Sequence, residues 1–121
     1  MVDYDVAIVG ASIAGCTSAT FLCRQGAKVA LIESHSDPRA FKRMCTHFIQ
    51  ASSAPTINRL GIEDALGEAH ARRTDTNVWT RYGWVSFRRE SGGPPLSEWA
   101  PWNIRREKLD PTLRRTPRTW T

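Results

Sequence analysis

The sequence predicts an α/β fold that opens with a strand–helix–strand unit, and three features near its start support this prediction. A short apolar run, residues 6–9, leads into a turn with glycine at both ends, residues 10–15. A helical stretch, uncharged as far as Cys23, comes next and runs to about Gln25. A second apolar run, residues 29–32, then ends at Glu33. This order of strand, glycine-bearing turn, helix, strand and acid is typical of a dinucleotide-binding unit.

Each part of this unit has a local physical reason. The first run is continuously apolar, as expected for a central parallel strand that is covered on both faces. Gly10 permits the tight turn, and Ser12 stands at the usual second glycine, where its hydroxyl could donate to a phosphate. Gly15 lets the helix pack closely on the strand, and Gly26 is placed to end the helix in the left-handed conformation.

The turn and the acid predict a binding site. The helix N-terminus directs unpaired N–H groups and the positive end of its dipole at a pyrophosphate. The Glu33 carboxylate is placed to accept hydrogen bonds from a ribose 2′-hydroxyl and to repel a 2′-phosphate. The candidate cofactor-binding residues of this unit are Gly10, Ala11, Ser12, Ile13, Ala14, Gly15 and Glu33. An ordinary strand–helix–strand unit without a nucleotide is the alternative interpretation.

Two short helices and a hairpin are predicted after this unit. The first helix covers residues 51–60, with Pro55 in its first turn and Gly61 at its end. The second runs from Glu63 to about Ala71 and carries Arg72-Arg73 at its C-terminal end. The apolar runs at residues 77–80 and 84–87 flank a turn and predict a β-hairpin. Its large apolar side chains are expected to pack in the core. They are Trp79, Trp84, Val85 and Phe87.

The last part of the chain is predicted to be less regular. Residues 91–101 are rich in glycine and proline and indicate a linker. Trp102-Asn103-Ile104 predicts a short strand that leads into a helix, and this helix must take Pro111 in its first turn. We expect one partial domain over residues 1–113, followed by an unstructured or aberrant tail over residues 114–121. The two parallel strands leave an apolar edge that something must cover, so the sheet is expected to be incomplete.

Charge and composition limit the function classes. The chain has 121 residues, enough for one domain, and a net charge of +5. The basic excess lies in its second half as arginine pairs. A solvated basic surface is the default interpretation, and docking of anionic cofactor groups comes next. These arginine pairs do not lie in a recognised nucleic-acid-binding motif, so we expect no nucleic-acid partner.

The cysteines and the uncharged residues 6–23 indicate in which cellular compartment the protein is located. Cys16, Cys23 and Cys45 form neither a CxxC motif nor an even-numbered framework, so we expect no metal site and no disulfides. A reducing compartment, the cytoplasm, fits best. A signal peptide is a competing interpretation of residues 6–23, but the chain has no Lys or Arg before Arg24. The polar residues of this stretch also make a poor membrane span.

Three motifs, taken together and in this order, resemble the amino-terminal part of the FAD-dependent monooxygenases and geranylgeranyl-reductase-like flavoproteins. They are the Gly10–Gly15 turn, the residue 41–47 loop followed by Ile57-Asn58-Arg59-Leu60-Gly61-Ile62, and Arg106-x-x-Leu109-Asp110-x-x-Leu113. The resemblance covers about residues 4–113 and implies a Rossmann-like FAD-binding unit with added helices and a β-hairpin.

The resemblance implies further site residues. The ADP half of FAD would lie over Gly10–Gly15, with its adenosine ribose on Glu33. The loop at Arg43–Cys45 would run near the ribityl and flavin portion, and Arg106 would lie against the cofactor. A fixed guanidinium fork suits phosphate or ribityl oxygens. Arg43, Cys45 and Arg106 are therefore added to the candidate cofactor-binding residues. The alternative for Arg43 and Arg106 is a surface arginine, and for Cys45 simple packing.

The function that the resemblance implies is a flavin-dependent oxidoreductase, foremost a monooxygenase acting on a hydrophobic or aromatic small molecule. NAD(P)H would be the reductant in the full-length family. The later Gly-Asp and Asp-Gly motifs of this family do not occur in the sequence, so we expect a fragment that is inactive alone. No catalytic acid or base can be named, and the three histidines are expected to be solvated. A catalytically inactive dinucleotide-binding remnant and the first unit of an NAD-dependent dehydrogenase are the alternatives.

Overall fold

The computed structural model describes residues 3–74, 77–86 and 101–116. Its helices and strands, in chain order, are β1 (Val6–Val9), α1 (Ile13–Arg24), β2 (Val29–Ile32), β3 (Phe48–Ile49), a 3₁₀ turn (Ala51–Ser53), α2 (Ala54–Leu60), α3 (Glu63–Glu68), β4 (Arg72–Arg73), β5 (Asn77–Thr80), β6 (Gly83–Ser86), β7 (Trp102–Asn103) and α4 (Arg106–Arg115). The described strands form a parallel pair β1–β2, an antiparallel sheet β3–β7–β4 and a hairpin β5–β6. The predicted α/β fold is confirmed.

The opening unit has the predicted Rossmann-like form. Strands β1 and β2 are parallel, with Val6 opposite Val29 and Val9 opposite Ile32, and α1 connects them. Gly26 has φ +90°, so it takes the left-handed conformation predicted for the end of the helix. Glu33 directly follows β2. The strand register therefore brings the acid to the same edge of the sheet as the glycine turn.

One face of the β1–β2 sheet is open, which corrects the prediction that β1 is covered on both faces. Val9 is 84% exposed and Ile32 is 51% exposed. Within the described part of the chain, β1 and β2 pair only with each other, and α1 packs on this pair from one side. The incomplete sheet that the sequence predicts is thus confirmed.

The buried core joins α1 to the three later helices. It contains Ala11, Cys16, Ile57, Leu60, Ile62, Leu66, Ile104, Leu109 and Leu113. In α4, Arg106, Leu109, Asp110 and Leu113 are all buried. Their spacing of three and four residues places them on one helix face. The motif seen in the sequence is therefore the face by which α4 packs on the opening unit.

The middle helices agree with prediction in their order but not in every boundary. Pro55 lies in the first turn of α2, and Gly61 ends that helix with φ +68°, as predicted. Helix α3 is shorter than expected and ends at Glu68. Arg72 and Arg73 form strand β4 and do not belong to the end of a helix, which corrects the prediction. The reason is that His70, at φ +62°, turns the chain into pairing with β7.

The predicted hairpin is present, but its side chains are not core residues. Trp79 and Trp84 are 64% and 67% exposed, and Val85 is also exposed. The two indoles lie opposite each other across the strands and pack edge to face, with ring centroids 5.2 Å apart. The prediction that they pack in the core is wrong, because the described hairpin presents these aromatic groups to solvent. Phe87 and most of the predicted linker lie outside the described residues.

Helix α4 differs from the prediction in the position of its proline and in the residue at which it ends. Pro111 lies inside the helix and not in its first turn, so this helix forms without one of its backbone donors. Burial of Leu109 and Leu113 on either side of Pro111 stabilises it in place. The helix continues through Arg115, so Arg114 and Arg115 are structured, and the predicted tail boundary after residue 113 is corrected. Residues 117–121 lie outside the described part.

Candidate functional site

The turn between β1 and α1 has a geometry that requires glycine. Gly10 has φ +101°, a conformation that side chains disfavour. A Cβ atom added at Gly15 would lie 1.8 Å from the carbonyl oxygen of Gly10. The first turn of α1 therefore contacts the end of β1 at a distance that only a glycine permits, which is the close approach predicted from the sequence.

The N-terminus of α1 is open to an anion. Ser12 occupies the cap position but its side chain makes no capping hydrogen bond. The first helical bond runs from the N–H of Cys16 to the carbonyl of Ser12. The N–H groups of Ile13, Ala14 and Gly15 precede it and belong to the unpaired donors of a helix start. These donors and the helix dipole are suited to a phosphate group.

Glu33 is bound to this turn by its carboxylate. Its Oε2 accepts a hydrogen bond from the Ala11 N–H at 2.8 Å, and its Oε1 accepts from the His35 N–H at 3.1 Å. The Ser34 hydroxyl donates to Oε1 at 3.1 Å. The hydrogen bond from Ala11, followed by that from His35, lowers the pKa of Glu33 to about 2. The carboxylate is therefore ionised at neutral pH and acts only as an acceptor.

Arg106 connects α4 to the turn through its buried guanidinium. Its Nε and Nη2 donate to the Asp110 carboxylate at 2.7 and 3.1 Å, and Nη2 also donates to Ser12 Oγ at 2.6 Å. The side chains of Arg106 and Asp110 are 7% and 1% exposed. Burial works against the charged form, but the hydrogen bonds to Asp110 and Cys45 outweigh it and raise the pKa of Arg106. The charged guanidinium, paired with Asp110, is thus fixed beside the helix start.

Cys45 is the last member of a group that we call the Arg106 cluster, which consists of Ser12, Cys45, Arg106 and Asp110. Its Sγ lies 3.9 Å from Arg106 Nη1 and accepts from the His47 N–H at 3.4 Å. The His47 N–H is the main cause that lowers the pKa of the Cys45 thiol; burial opposes this shift, and Arg106 adds to it. The structure thus brings Ser12, Cys45 and Arg106 together from three distant parts of the sequence.

Arg43 is not part of the cluster. It is exposed and makes no hydrogen bond or ion pair with other residues in the described ranges. The loop is attached one residue earlier, where the Lys42 N–H donates to Asp110 Oδ2 at 3.1 Å. Of the loop residues singled out in the sequence, Cys45 reaches the site by its side chain and Arg43 does not.

Three residues of the site were missed in the sequence. Asp110 binds both Arg106 and the Lys42 N–H, and its spacing of four from Arg106 on one helix was the available signal. His47, expected to be solvated, accepts from the Arg106 N–H through Nδ1 at 3.2 Å and so caps α4. Arg114 donates from Nε to the Ala11 carbonyl at 2.9 Å. The last two contacts join residues far apart in the chain, and no local pattern predicts them.

A cavity of about 520 Å³ opens beside the first turn of α1. It lies between this helix, β3, α2 and α4, and Ile13, Phe48, Ile49 and Leu109 contribute to its mainly apolar lining. Hydroxyl groups such as that of Thr17 lie among them. A flat, largely apolar ring with polar edges suits such a surface. No helix in the described part of the chain combines the length and apolarity needed to cross a membrane.

The geometry agrees with the comparisons with known proteins. The family model described as FAD binding domain matches residues 3–121. A comparison with curated proteins found no match.

Several solved structures share the fold. The flavin-dependent brominase Bmp2 has a TM-score of 0.69 at 22% identity, over 93% of this chain and 26% of that chain. PqsL, a probable FAD-dependent monooxygenase from Pseudomonas aeruginosa, has a TM-score of 0.67 at 18% identity, over 93% of this chain and 29% of that one. The myxobacterial chondrochloren halogenase CndH has a TM-score of 0.72 at 20% identity, over 93% and 26%. The chain thus spans less than a third of the length of these structures.

Proposed function

This chain belongs to the FAD-binding domain family, with FAD as its cofactor, and we propose that it is the cofactor-binding portion of a flavin-dependent monooxygenase. The observation that carries the proposal is the convergence of Ser12, Cys45 and Asp110 on the Arg106 guanidinium beside the glycine turn. The family match favours this function over an NAD-dependent dehydrogenase unit and over a catalytically inactive dinucleotide-binding remnant.

The adenosine and pyrophosphate end of FAD would be held by the opening unit. The residues of the Gly10–Gly15 turn would supply backbone N–H groups, and position 15 has no room for a side chain, which supports a close approach of the helix to the strand. Glu33 supplies an ionised acceptor for the ribose. Its negative charge favours a 2′-hydroxyl and disfavours a 2′-phosphate. These residues fit the cofactor.

The rest of the cofactor would lie along the Arg106 cluster and the adjoining cavity. Arg106 keeps its charge and orientation through Asp110, so it can hold phosphate or ribityl oxygens without reorganising. Cys45 lies on the same guanidinium, and Arg43 would approach from solvent. When bound, the flavin supplies the redox chemistry. The protein residues bind it, orient it and exclude water from one side.

The substrate, the reductant and the cellular location are proposals that go beyond the family match. We propose a hydrophobic or aromatic small-molecule substrate and NAD(P)H as the reductant of the complete enzyme. The three cysteines are free thiols, which supports our proposal of a cytoplasmic location. PqsL is named a probable monooxygenase, which supports that reaction class.

The experiment is a titration of the purified 121-residue chain with FAD, followed by flavin absorbance and fluorescence. We expect saturable binding with a perturbed flavin spectrum. A matched titration with NADH is the control, and we expect weaker binding. A chain that binds NADH tightly and takes up no FAD would contradict the proposal and favour the dehydrogenase alternative.

A further inference from the structure

Arg114 joins three segments at the predicted adenosine end of the site. Its Nε donates to the Ala11 carbonyl at 2.9 Å, and its Nη1 donates to the Pro38 carbonyl at 3.0 Å and also to that of Ala40. Its Nη2 lies 4.0 Å from Glu33 Oε2. The side chain is 16% exposed. One guanidinium therefore connects the glycine turn, the acid and the loop that follows β2.

The backbone of Ala11 is held on both sides by this arrangement, through the peptide units that precede and follow its Cα atom. Glu33 accepts from its N–H group, and Arg114 donates to its carbonyl oxygen. The acid and the guanidinium thus hold the same residue of the turn in one orientation. A change at Arg114 is expected to shift Ala11 and, through it, the carboxylate that Ala11 binds.

Glu33 retains an acceptor position in this arrangement. Its Oε1 accepts from Ser34 and His35, and among the described residues its Oε2 accepts one hydrogen bond, from Ala11. A carboxylate oxygen can accept two. The Arg114 guanidinium stays at 4.0 Å from Oε2, beyond hydrogen-bond distance, so it does not occupy the second position.

We propose that Arg114 is a positioning residue for recognition of the adenosine ribose. It holds Ala11 and Glu33 so that the remaining acceptor position of Oε2 binds the ribose 2′-hydroxyl. The inference rests on the proposed function, because it requires that Glu33 is the ribose acceptor. It adds to that function the residue that sets the orientation of the acceptor.

A purely structural role for Arg114 makes a different prediction. A basic residue in the last turn of a helix is favourable because of the helix dipole, and Arg115 shares that position and charge. Arg115 is exposed, so Arg115→Gln is a matched control. Lysine keeps the charge of Arg114 but has a single nitrogen, which cannot reproduce contacts to three segments.

The test measures the preference for ADP over 2′-deoxy-ADP by calorimetric titration of the full chain. In the unmodified chain we expect ADP to bind about tenfold more tightly, since the 2′-hydroxyl donates to a charged acceptor. Arg114→Gln and Arg114→Lys should bring this ratio close to one. Arg115→Gln should keep it. A loss of stability alone would weaken both ligands equally and leave the ratio unchanged.

The outcomes separate the inference from the proposed function. An unchanged ratio in Arg114→Gln and Arg114→Lys would overturn the inference while leaving Glu33 as the ribose acceptor. Full recovery of the ratio in the lysine variant would also overturn it, because charge alone would then suffice. Absence of any preference in the unmodified chain would show that Glu33 does not bind the 2′-hydroxyl and would overturn the inference, whereas failure of the FAD titration is the result that overturns the proposed function. If Arg114→Gln does not fold, the lysine variant decides.

Discussion

The Arg106 cluster and the β5–β6 hairpin differ in what they bury. In the cluster, a charged pair is almost completely buried, with side chains 7% and 1% exposed, and it is tied to the turn and the loop by hydrogen bonds. In the hairpin, two tryptophans remain 64% and 67% exposed and contact each other. These two regions thus contain a buried ion pair and two exposed tryptophans. This is the reverse of the usual distribution, in which apolar side chains are buried and charged ones are exposed.

The largest effect should come from breaking the buried pair. Arg106→Gln leaves the Asp110 carboxylate buried without its ion-pair partner and should lower the free energy of unfolding by about 3–5 kcal/mol. Urea unfolding measures this loss. Arg105→Gln is the matched control, since Arg105 is 74% exposed, and it should cost less than about 1 kcal/mol.

A double variant separates the fold from the site. Arg106→Met combined with Asp110→Leu removes both charges and should regain part of the lost stability. It should still bind FAD far more weakly than the unmodified chain, because the fixed positive charge is gone. If the double variant binds FAD with full affinity, Arg106 contributes to stability only, and the contrast between cluster and hairpin loses its functional meaning.

A second large effect is expected at the turn. Gly15→Ala places a Cβ atom 1.8 Å from the Gly10 carbonyl oxygen, so β1 and α1 must separate. We expect a loss of about 3 kcal/mol in unfolding free energy, measured by urea unfolding, and loss of FAD binding. Gly67→Ala is the control: no atom lies within 4 Å of an added Cβ there, and the change should stabilise by up to about 1 kcal/mol. Equal behaviour of the two variants would contradict the close approach at the turn.

An intermediate effect should appear as pH dependence. The pKa of Glu33 is lowered in the folded chain to about 2 from an ordinary value of 4.5. Its contribution to stability is therefore present above pH 4.5 and is lost as the pH falls from 4.5 towards 2. Glu33→Gln should remove this part of the acid sensitivity, as followed by thermal unfolding at several pH values. Glu68→Gln, an exposed acid on α3, serves as the control and should keep the acid sensitivity of the unmodified chain.

The opening unit could be predicted from the sequence because its signals are local. Gly10, Gly15 and Gly26 mark conformations that the backbone requires within a few residues, and Glu33 follows its strand directly. The one wrong expectation there, a covered β1, concerned packing against other elements of the fold, which the residues of the strand do not specify. The local sequence predicts turns and helix ends well, but it does not predict which elements pack on the faces of a sheet.

The cluster could be predicted only in part. Arg106 and Asp110 share a helix face, and the resemblance to flavoproteins indicated Arg106 and Cys45. His47 and Arg114 were assigned to solvent and to a tail. Their contacts join residues 59 and 103 positions apart. Pairing of β3 with β7 brings His47 to Arg106, and packing of α4 on α1 brings Arg114 to Ala11. The residues that orient a site are thus harder to predict than the residues that form it.

The smallest effect should occur in the hairpin. Trp79→Thr keeps a residue that favours β-strands and removes the edge-to-face pair, which is worth about 0.5–1.5 kcal/mol. Because both indoles are mostly exposed, we expect a loss of no more than about 1 kcal/mol in urea unfolding and unchanged FAD affinity. Leu66→Ala, at a position with 0% exposure, is the comparison and should cost about 2–5 kcal/mol. If Trp79→Thr lowered the free energy of unfolding as much as Leu66→Ala does, the hairpin would be buried in solution. The contrast between a buried ion pair and exposed tryptophans would then not hold.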